Sequence, residues 1–428
     1  MTWLQRYRIR HYISNSVWIL PVLSAVAAVA AVRVLHWIEQ EMGWVSPVDP
    51  DTARAVLGTM ASALFTSIVF VCTALLVAVQ LASAALTPRI IALVFRDPIT
   101  KSCLTLLVFT FTFSLAALIR IKAAVPLLTA HLAAYVSLVS LCAFFYLIDH
   151  LGKALRPSGA LRGVAWLGGK VIDSVYPERF DKLQEGIAPN ALHVPGGEPG
   201  VMIPSLRDGV VLAFDDEGLL SLARRADCLI ELLPQVGDHV AAGDPLFRIF
   251  PGSATLPAEA LRQSVAVGQE RTPEQDPTLA FRIMVDIASK ALSPAINDPT
   301  TAVLALDQIH SLLRKVGNRR LADGHVGDTT GHLRLVYRTP DWEDFVRLAV
   351  TEIRQFGHAS IQIARRLRAM MENLILTLPE ARATLLRQEL VLLQRSSERS
   401  FAEPEDQALA AVSDFQGVGG KHETNQKR

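Results

Sequence analysis

The sequence predicts a membrane α-helical protein. Four transmembrane helices come first, followed by a cytoplasmic α+β region built from a small β-rich, barrel-sandwich-like module and a helical domain. Three observations predict this. Half of the 428 residues are hydrophobic and only 19% are charged, against about 25% charged in ordinary soluble domains. Four apolar runs long enough to cross a bilayer fall in the first 150 positions; a crossing takes about 20 residues. Beyond Leu151 charges become regular, and Gly and Pro begin to break the chain.

The same arithmetic excludes classes. Lys and Arg number 42, Asp and Glu 41, a net charge of +1. That balance lacks the basic excess of a nucleic-acid binder. The four cysteines, Cys72, Cys103, Cys142 and Cys228, show no CxxC spacing. They support neither a disulfide framework nor a zinc site. No metal and no cofactor is expected.

The first span runs over about 17–37, with Trp18 and Trp37 at its ends, where aromatic rings favour the interface. Arg33, His36 and Trp37 follow its apolar run with no small-residue cleavage pattern, so it reads as a retained anchor rather than a cleaved leader. Its small-residue ladder (Ser24, Ala27, Ala28, Ala31) suits helix packing. The second span, about 57–81, lies inside an uncharged run from Ala55 to Pro88. Fully helical, that run is about 50 Å long, beyond a hydrocarbon core of about 30 Å. The third span covers about 102–120 and the fourth about 124–148, with His131 inside it.

Flanking charges set the orientation. Arg6, Arg8 and Arg10 precede the first span; Glu39, Glu41, Asp49 and Asp51 follow it. Arg89, Arg96 and Lys101 lie between the second and third spans, and Lys153, Arg156 and Arg162 follow the fourth. The positive-inside rule then places both termini in the cytoplasm. Arg120 and Lys122 dissent, and snorkelling accommodates them.

Two spans carry polar stripes. Thr59, Ser62, Thr66, Thr73, Gln80 and Ser83 are spaced 3, 4, 7, 7 and 3, which is one helix face. His131, Tyr135, Cys142, Tyr146 and Asp149 do the same on the fourth span. Two readings stay open: hydroxyls that glue helices together, or a wet pathway with an ionisable group on it.

Residues 151–200 read as a connector, 201–252 as the β-rich module, 253–402 as the helical domain and 403–428 as a disordered tail. Strands are expected at Gly209–Phe214, Cys228–Leu233 and Pro245–Ile249, with a helix from Glu217 to Ala226 capped by Asp215 or Asp216. The turns Val236-Gly-Asp-His-Val240 and Gly243-Asp-Pro-Leu-Phe247 are similar to those of lipoyl- and biotinyl-type domains. The segment from Val201 to Phe250 has no lysine to modify, which favours a structural or docking module.

Asp276-Pro-Thr-Leu-Ala280 is echoed by Asp298-Pro-Thr-Thr-Ala302. Each reads as an Asp N-cap with Pro at the first helical position, opening helices of about 277–292 and 299–316. Arg282, Asp286 and Lys290 form a candidate salt ladder. Asn297, Asp298, Thr300 and Thr301 are either a helix cap or an anion site built on free amides. Arg365, Arg366 and Arg368 read as a solvated basic face.

Ser83-Ala-Ala-Leu-Thr-Pro-Arg89, Arg271-Thr-Pro-Glu-Gln-Asp276 and Val285-Asp-Ile-Ala-Ser-Lys-Ala-Leu-Ser-Pro-Ala-Ile-Asn-Asp-Pro-Thr-Thr-Ala302 resemble the motifs of the domain of unknown function 2254 family of predicted bacterial membrane proteins. The resemblance runs from the first span to about Leu393. It marks Thr87, Pro88, Arg89, Asp286, Ser293, Pro294, Asn297, Asp298 and Pro299 as motif positions. It implies a bacterial inner-membrane protein with a cytoplasmic C-terminal region, and no known reaction or ligand.

Two functional classes follow from the residues. One is an oligomeric channel or transport-like protein, lined by the second span and carrying a cytoplasmic regulatory domain. The other is a non-transporting scaffold or sensor that binds a ligand or partner through that domain. Partners are then the lipid bilayer and further copies of the chain, not nucleic acid. An enzyme is not expected: no G-x-S-x-G, P-loop or H-E-x-x-H occurs, and His310, His325 and His332 lack carboxylates at ligand spacing.

Overall fold

The computed structural model describes residues 2–90, 97–121, 125–154, 156–180, 200–250 and 256–419. Arg96, Lys122 and the Pro195-Gly196-Gly197 break lie outside them, as do residues 420–428 of the expected tail. The chain forms two units, one of Arg10–Ala160 and one of Met1–Ile9 with Leu161–Arg428.

A short helix, α1 (Trp3–Asn15), precedes the first unit's long helices α2 (Ile19–Met42), α3 (Pro50–Ala85), α4 (Pro98–Arg120) and α5 (Leu127–Ala154). All four are long and apolar enough to cross a membrane. Helices α3 and α4 contain the second and third expected spans, while α2 and α5 overlap the first and fourth but begin at Ile19 and Leu127; α3 has 36 residues, about 54 Å. Helices α3 and α4 begin alike: Asp49 accepts from the Asp51 and Thr52 amides ahead of Pro50, and Asp97 from the Thr100 amide ahead of Pro98. A two-residue ladder pairs β1 (Val45–Ser46) with β2 (Val125–Pro126).

Helix α4 is the hub of this unit. Leu107, Thr110, Phe113, Ser114 and Ala117 along it are fully buried. One apolar cluster joins Ala28, Val32, Leu57, Phe113, Ala117 and Ala133; a second joins Leu64, Val71, Leu75, Leu104, Leu107 and Leu147. Ser24 Oγ donates to the Thr105 carbonyl at 3.1 Å, so the small-residue face of α2 packs on α4. Close approach with few methylenes is how membrane helices gain dispersion energy, since burial from lipid carries no hydrophobic gain.

The second unit adds α6 (Pro157–Val175), which belongs to it from Leu161 onward, then β3 (Val201–Pro204), β4 (Gly209–Phe214), α7 (Asp216–Ala226), β5 (Leu229–Leu232), β6 (His239–Val240) and β7 (Pro245–Phe250). There follow α8 (Ala258–Arg262), β8 (Val265–Gly268), α9 (Pro277–Ala291), α10 (Pro299–Gly317), β9 (His325–Gly327) and β10 (Leu333–Tyr337). Four helices close the described chain: α11 (Trp342–Phe356), α12 (Ile361–Thr377), α13 (Glu380–Ser400) and α14 (Pro404–Ala410). Asp215 is the cap of α7, accepting from the Gly218 amide at 3.1 Å.

The β-rich region is not confined to 201–252. A five-stranded sheet runs β3-β7-β5-β10-β9, and β10 pairs parallel to β5 from about a hundred residues downstream. A three-stranded sheet runs β6-β4-β8. The self-contained barrel-sandwich-like module of the sequence analysis is therefore not confirmed. The two sheets share one core of Val211, Leu219, Ile230, Phe247, Leu261 and Leu335. In the helical part Tyr176 packs edge-on against Phe345, and Phe281 lies against the same ring. Burial pushes the Tyr176 hydroxyl up to about 12. Gly168 lets α6 approach α9, because a Cβ there would meet the Ala280 side chain at 2.4 Å.

Two expectations are corrected. Residues 403–419 are ordered rather than a disordered tail: α14 forms, and the carboxylate of Asp414, buried, accepts from the amides of Gln416, Gly417 and Gly419. The basic cluster is not a solvated face. Arg365 and Arg366 are 1% and 5% exposed. Arg365 donates to the Val412 and Gly419 carbonyls, and Arg366 pairs with Asp307 at 2.7 Å. A buried guanidinium keeps its charge, so it must be surrounded by acceptors; the C-terminal segment supplies them to Arg365, and α10 supplies Asp307 to Arg366.

Candidate functional site

The stripe on α3 turns away from its own bundle. Thr59, Ser62, Thr66, Thr73 and Gln80 are exposed in the single chain, and Ser83 is half-buried. The opposite face of the same helix is buried: Leu57, Leu64, Val71, Leu75 and Ala78. Four of its hydroxyls donate to the carbonyl one turn back: Thr59 to Ala55 at 2.8 Å, Ser62 to Gly58 and Thr66 to Ser62 at 3.0 Å, and Thr73 to Val69 at 2.9 Å. The donors are satisfied within the helix, and the oxygen lone pairs remain facing outward. The α5 stripe also faces outward. His131 Nδ1 lies 2.7 Å from the Leu127 carbonyl oxygen, and Tyr135 is 66% exposed.

Polar groups inside the bundle are different residues. Thr110 Oγ1 and Ser140 Oγ are 2.7 Å apart and fully buried. Glu39 is buried too, and its two oxygens accept from the Thr129 amide at 2.8 Å and the Thr129 hydroxyl at 2.7 Å. A carboxylate from α2 thus caps the first turn of α5, where the helix dipole favours negative charge. At the other end of the bundle Asp97 accepts from Thr100 and lies 3.0 Å from His150 Nε2. Sequence reasoning missed both. Glu39 carried no local signal, whereas Asp97-Pro98 repeats the Asp-Pro junction that opens α3, α9 and α10.

The motif residues of the second unit form tight structural devices. Asp276 accepts from the Thr278 and Leu279 amides at 3.1 Å each, and Arg271 clamps its second oxygen at 2.6 Å. Gln275 binds both the amide and the carbonyl of Phe214 and so holds the end of β4. Gly237, at φ +97°, leaves room for the Arg271 guanidinium, which a Cβ would meet at 2.4 Å. Arg282 bonds Asp286 as the ladder predicts, and also takes both oxygens of Glu352 on α11. Those two acceptors raise the Arg282 pKa, and the guanidinium holds the Glu352 carboxyl below its usual range.

Asp298 caps α10 through the Thr301 amide at 3.0 Å and the Thr301 hydroxyl at 2.5 Å. Of the amides that an anion would use, that of Thr301 is taken by the chain's own carboxylate and that of Asp298 by the Ala291 carbonyl. Pro299 is at the first helical position. Asn297 holds a left-handed φ of +47°, and with Pro294 and Thr300 it is exposed. Ser293 Oγ donates to the Lys290 carbonyl at 2.7 Å. In the first motif Thr87 is buried, and Pro88 and Arg89 lie exposed in a 3-10 turn. Among the described residues no group of three His, Cys, Asp or Glu side chains is placed to hold a metal ion.

Four helices fit to cross a bilayer, joined to a mixed helix-and-sheet unit, define a membrane protein with a folded C-terminal domain. The chain belongs to the family described as predicted membrane protein, domain of unknown function 2254, whose profile matches residues 14–373. It is similar to an uncharacterised protein of Mycobacterium bovis and to one of Mycobacterium tuberculosis. Each is 26% identical over 432 residues, covering 95% of this chain and 80% of the relative. No solved structure matches.

Proposed function

We propose that the protein is a homo-oligomeric, channel- or transport-like membrane protein in which the α3 helices of several copies meet and line a water-accessible path. The observation that carries this is the direction of the α3 stripe: five polar side chains are exposed on the face opposite the buried Leu64, Val71 and Leu75. One chain has too few helices to enclose a path, so symmetry-related copies must complete it. The second unit would regulate the path from the cytoplasm. Tyr7 lies 3.3 Å from Thr272 within that unit, which supports both ends of the chain lying on one side of the bacterial inner membrane, as an even number of spans requires. Reporter fusions after His150 and within Glu41–Asp51 test that orientation.

The competing scaffold or sensor reading draws on a specific observation as well. The hydroxyls of Thr59, Ser62, Thr66 and Thr73 are each bonded to their own helix, so none of these four needs water or a partner. Cross-linking separates the two. A cysteine replacing Thr66 should form an oxidant-induced disulfide between copies, while one replacing Leu64 should not. Monomer at both positions contradicts the oligomeric path.

A further inference from the structure

We propose that the second unit binds a small soluble anion carrying two or more phosphate charges, in a cavity between the end of α10 and the segment after α6. The cavity measures about 560 Å³, within the range of about 300–1,000 Å³ typical of small-molecule sites. Its lining includes Arg179, Phe180, Arg314, Lys315, Asn318 and Arg319, and none of the described lining residues is acidic. This inference stands whether or not α3 lines a path.

The cations divide into two sets. Lys315 and Arg319 are already held by one carboxylate, Asp173, at 2.6 and 2.5 Å, and Arg319 also donates to the Pro177 carbonyl. Asp173 positions them and neutralises at most one of their charges. Arg179 and Arg314 are exposed, and neither guanidinium has an acceptor among the described residues. Two unpaired planar forks beside two fixed cations match the geometry that chelates phosphate oxygens. Phe180 gives the cavity an apolar wall; its ring is held by Arg382, 5.3 Å from the centroid.

A simpler account exists for part of this charge. Arg314 and Lys315 occupy the last turn of α10, where cations complement the helix dipole. That account does not reach Arg179, which comes from a different segment and is brought alongside by an antiparallel bridge to Arg319. Nor does it explain why Arg319, beyond the helix end, is fixed toward the same cavity.

Chelation by several forks predicts a steep preference for polyphosphate over single charges. The test uses the full chain in neutral detergent at constant ionic strength, with inorganic pyrophosphate, ATP and chloride as probes. Pyrophosphate or ATP should raise the thermal midpoint, and chloride should not. The double variant Arg179→Gln, Arg314→Gln should keep the ligand-free midpoint, because neither side chain is paired among the described residues. Its affinity should fall by about tenfold or more for each charged fork lost. Arg225→Gln, an exposed cation elsewhere, should leave the affinity unchanged. No midpoint shift with either phosphate probe overturns the proposal, as does a shift that the double variant retains. A third arm embeds wild type and double variant in nanodiscs of zwitterionic or anionic lipid. If the arginines matter only with anionic lipid, the ligand is a headgroup and the soluble-anion proposal fails.

Discussion

The α3 stripe and the α12 arginines are both polar patterns at helical spacing, and the fold treats them oppositely. On α3 the polar face points out and the apolar face packs. On α12 Arg365 and Arg366 point in, and Arg365 is the largest fully buried side chain among the described residues. A membrane bundle has no water to exclude, so its interior is no more apolar than its surroundings and short hydroxyls can stand on either face. In the second unit a charge is buried only when other chain segments bring acceptors to it. Position on a helix wheel therefore identifies a face in both regions but its exposure in neither.

The strongest way to break this contrast is Arg365→Ala. It removes charged hydrogen bonds to Val412 and Gly419, worth about 1.5–3 kcal/mol each. A loss of roughly 3 kcal/mol is expected, with early proteolysis after Phe401. A silent Arg365→Ala, with the segment still protected, would return the cluster to a solvated face.

The two Asp-Pro caps sharpen the comparison within one unit. Asp276 is buried, accepts from two amides and is clamped by Arg271. Asp298 is half-buried and accepts from Thr301 alone. Asp276→Ala should cost about 2 kcal/mol or more, since an unpaired arginine adds to the lost cap. Asp298→Ala should cost about 1 kcal/mol. Equal losses in chemical denaturation would show that burial of the cap does not matter.

On α3 the expected effects are smaller. Thr66→Leu should change stability by no more than about 0.5 kcal/mol, as for an exposed site, if the single chain is what unfolds. A large loss would mean that Thr66 is packed against another copy.

The smallest effect is a pH slope. Burial pushes the His310 imidazole below its ordinary value of 6.5, although the Asn373 side chain, 2.9 Å away, opposes the shift. The folded chain then holds that proton more weakly than the unfolded chain. The contribution is complete above about pH 6.5 and is lost as pH falls toward the lowered folded value. His310→Gln should flatten this part of the stability profile. A steeper slope in the variant would assign the titration to another group.

Much of the fold is legible from local pattern. The apolar runs locate α2 to α5, and Asp-Pro junctions mark the starts of α9 and α10 to the residue. What escaped depends on distant pairing. Nothing near Leu333–Tyr337 announces a strand that joins β5, because that register is set by segments a hundred residues apart. The 403–419 segment is polar and Gly-rich, yet Asp414 turns three amides inward and Arg365 receives its carbonyls. Of the site residues, the one-sidedness of the α3 stripe was legible from spacing. Its outward direction was not, since spacing carries no information about which neighbours the other face meets.

That direction is tested most directly by cysteine accessibility. With Cys72, Cys103, Cys142 and Cys228 removed, single cysteines are placed at Thr59, Ser62, Thr66 and Thr73, and at Leu64, Val71 and Leu75. The membrane-embedded protein is then exposed to a small water-soluble thiol reagent, which reacts only where water lets the thiolate form. A path along α3 predicts reaction at the four stripe positions and protection at the three packed ones. Protection at all seven positions would contradict it and leave a stripe that faces lipid or a dry helix interface.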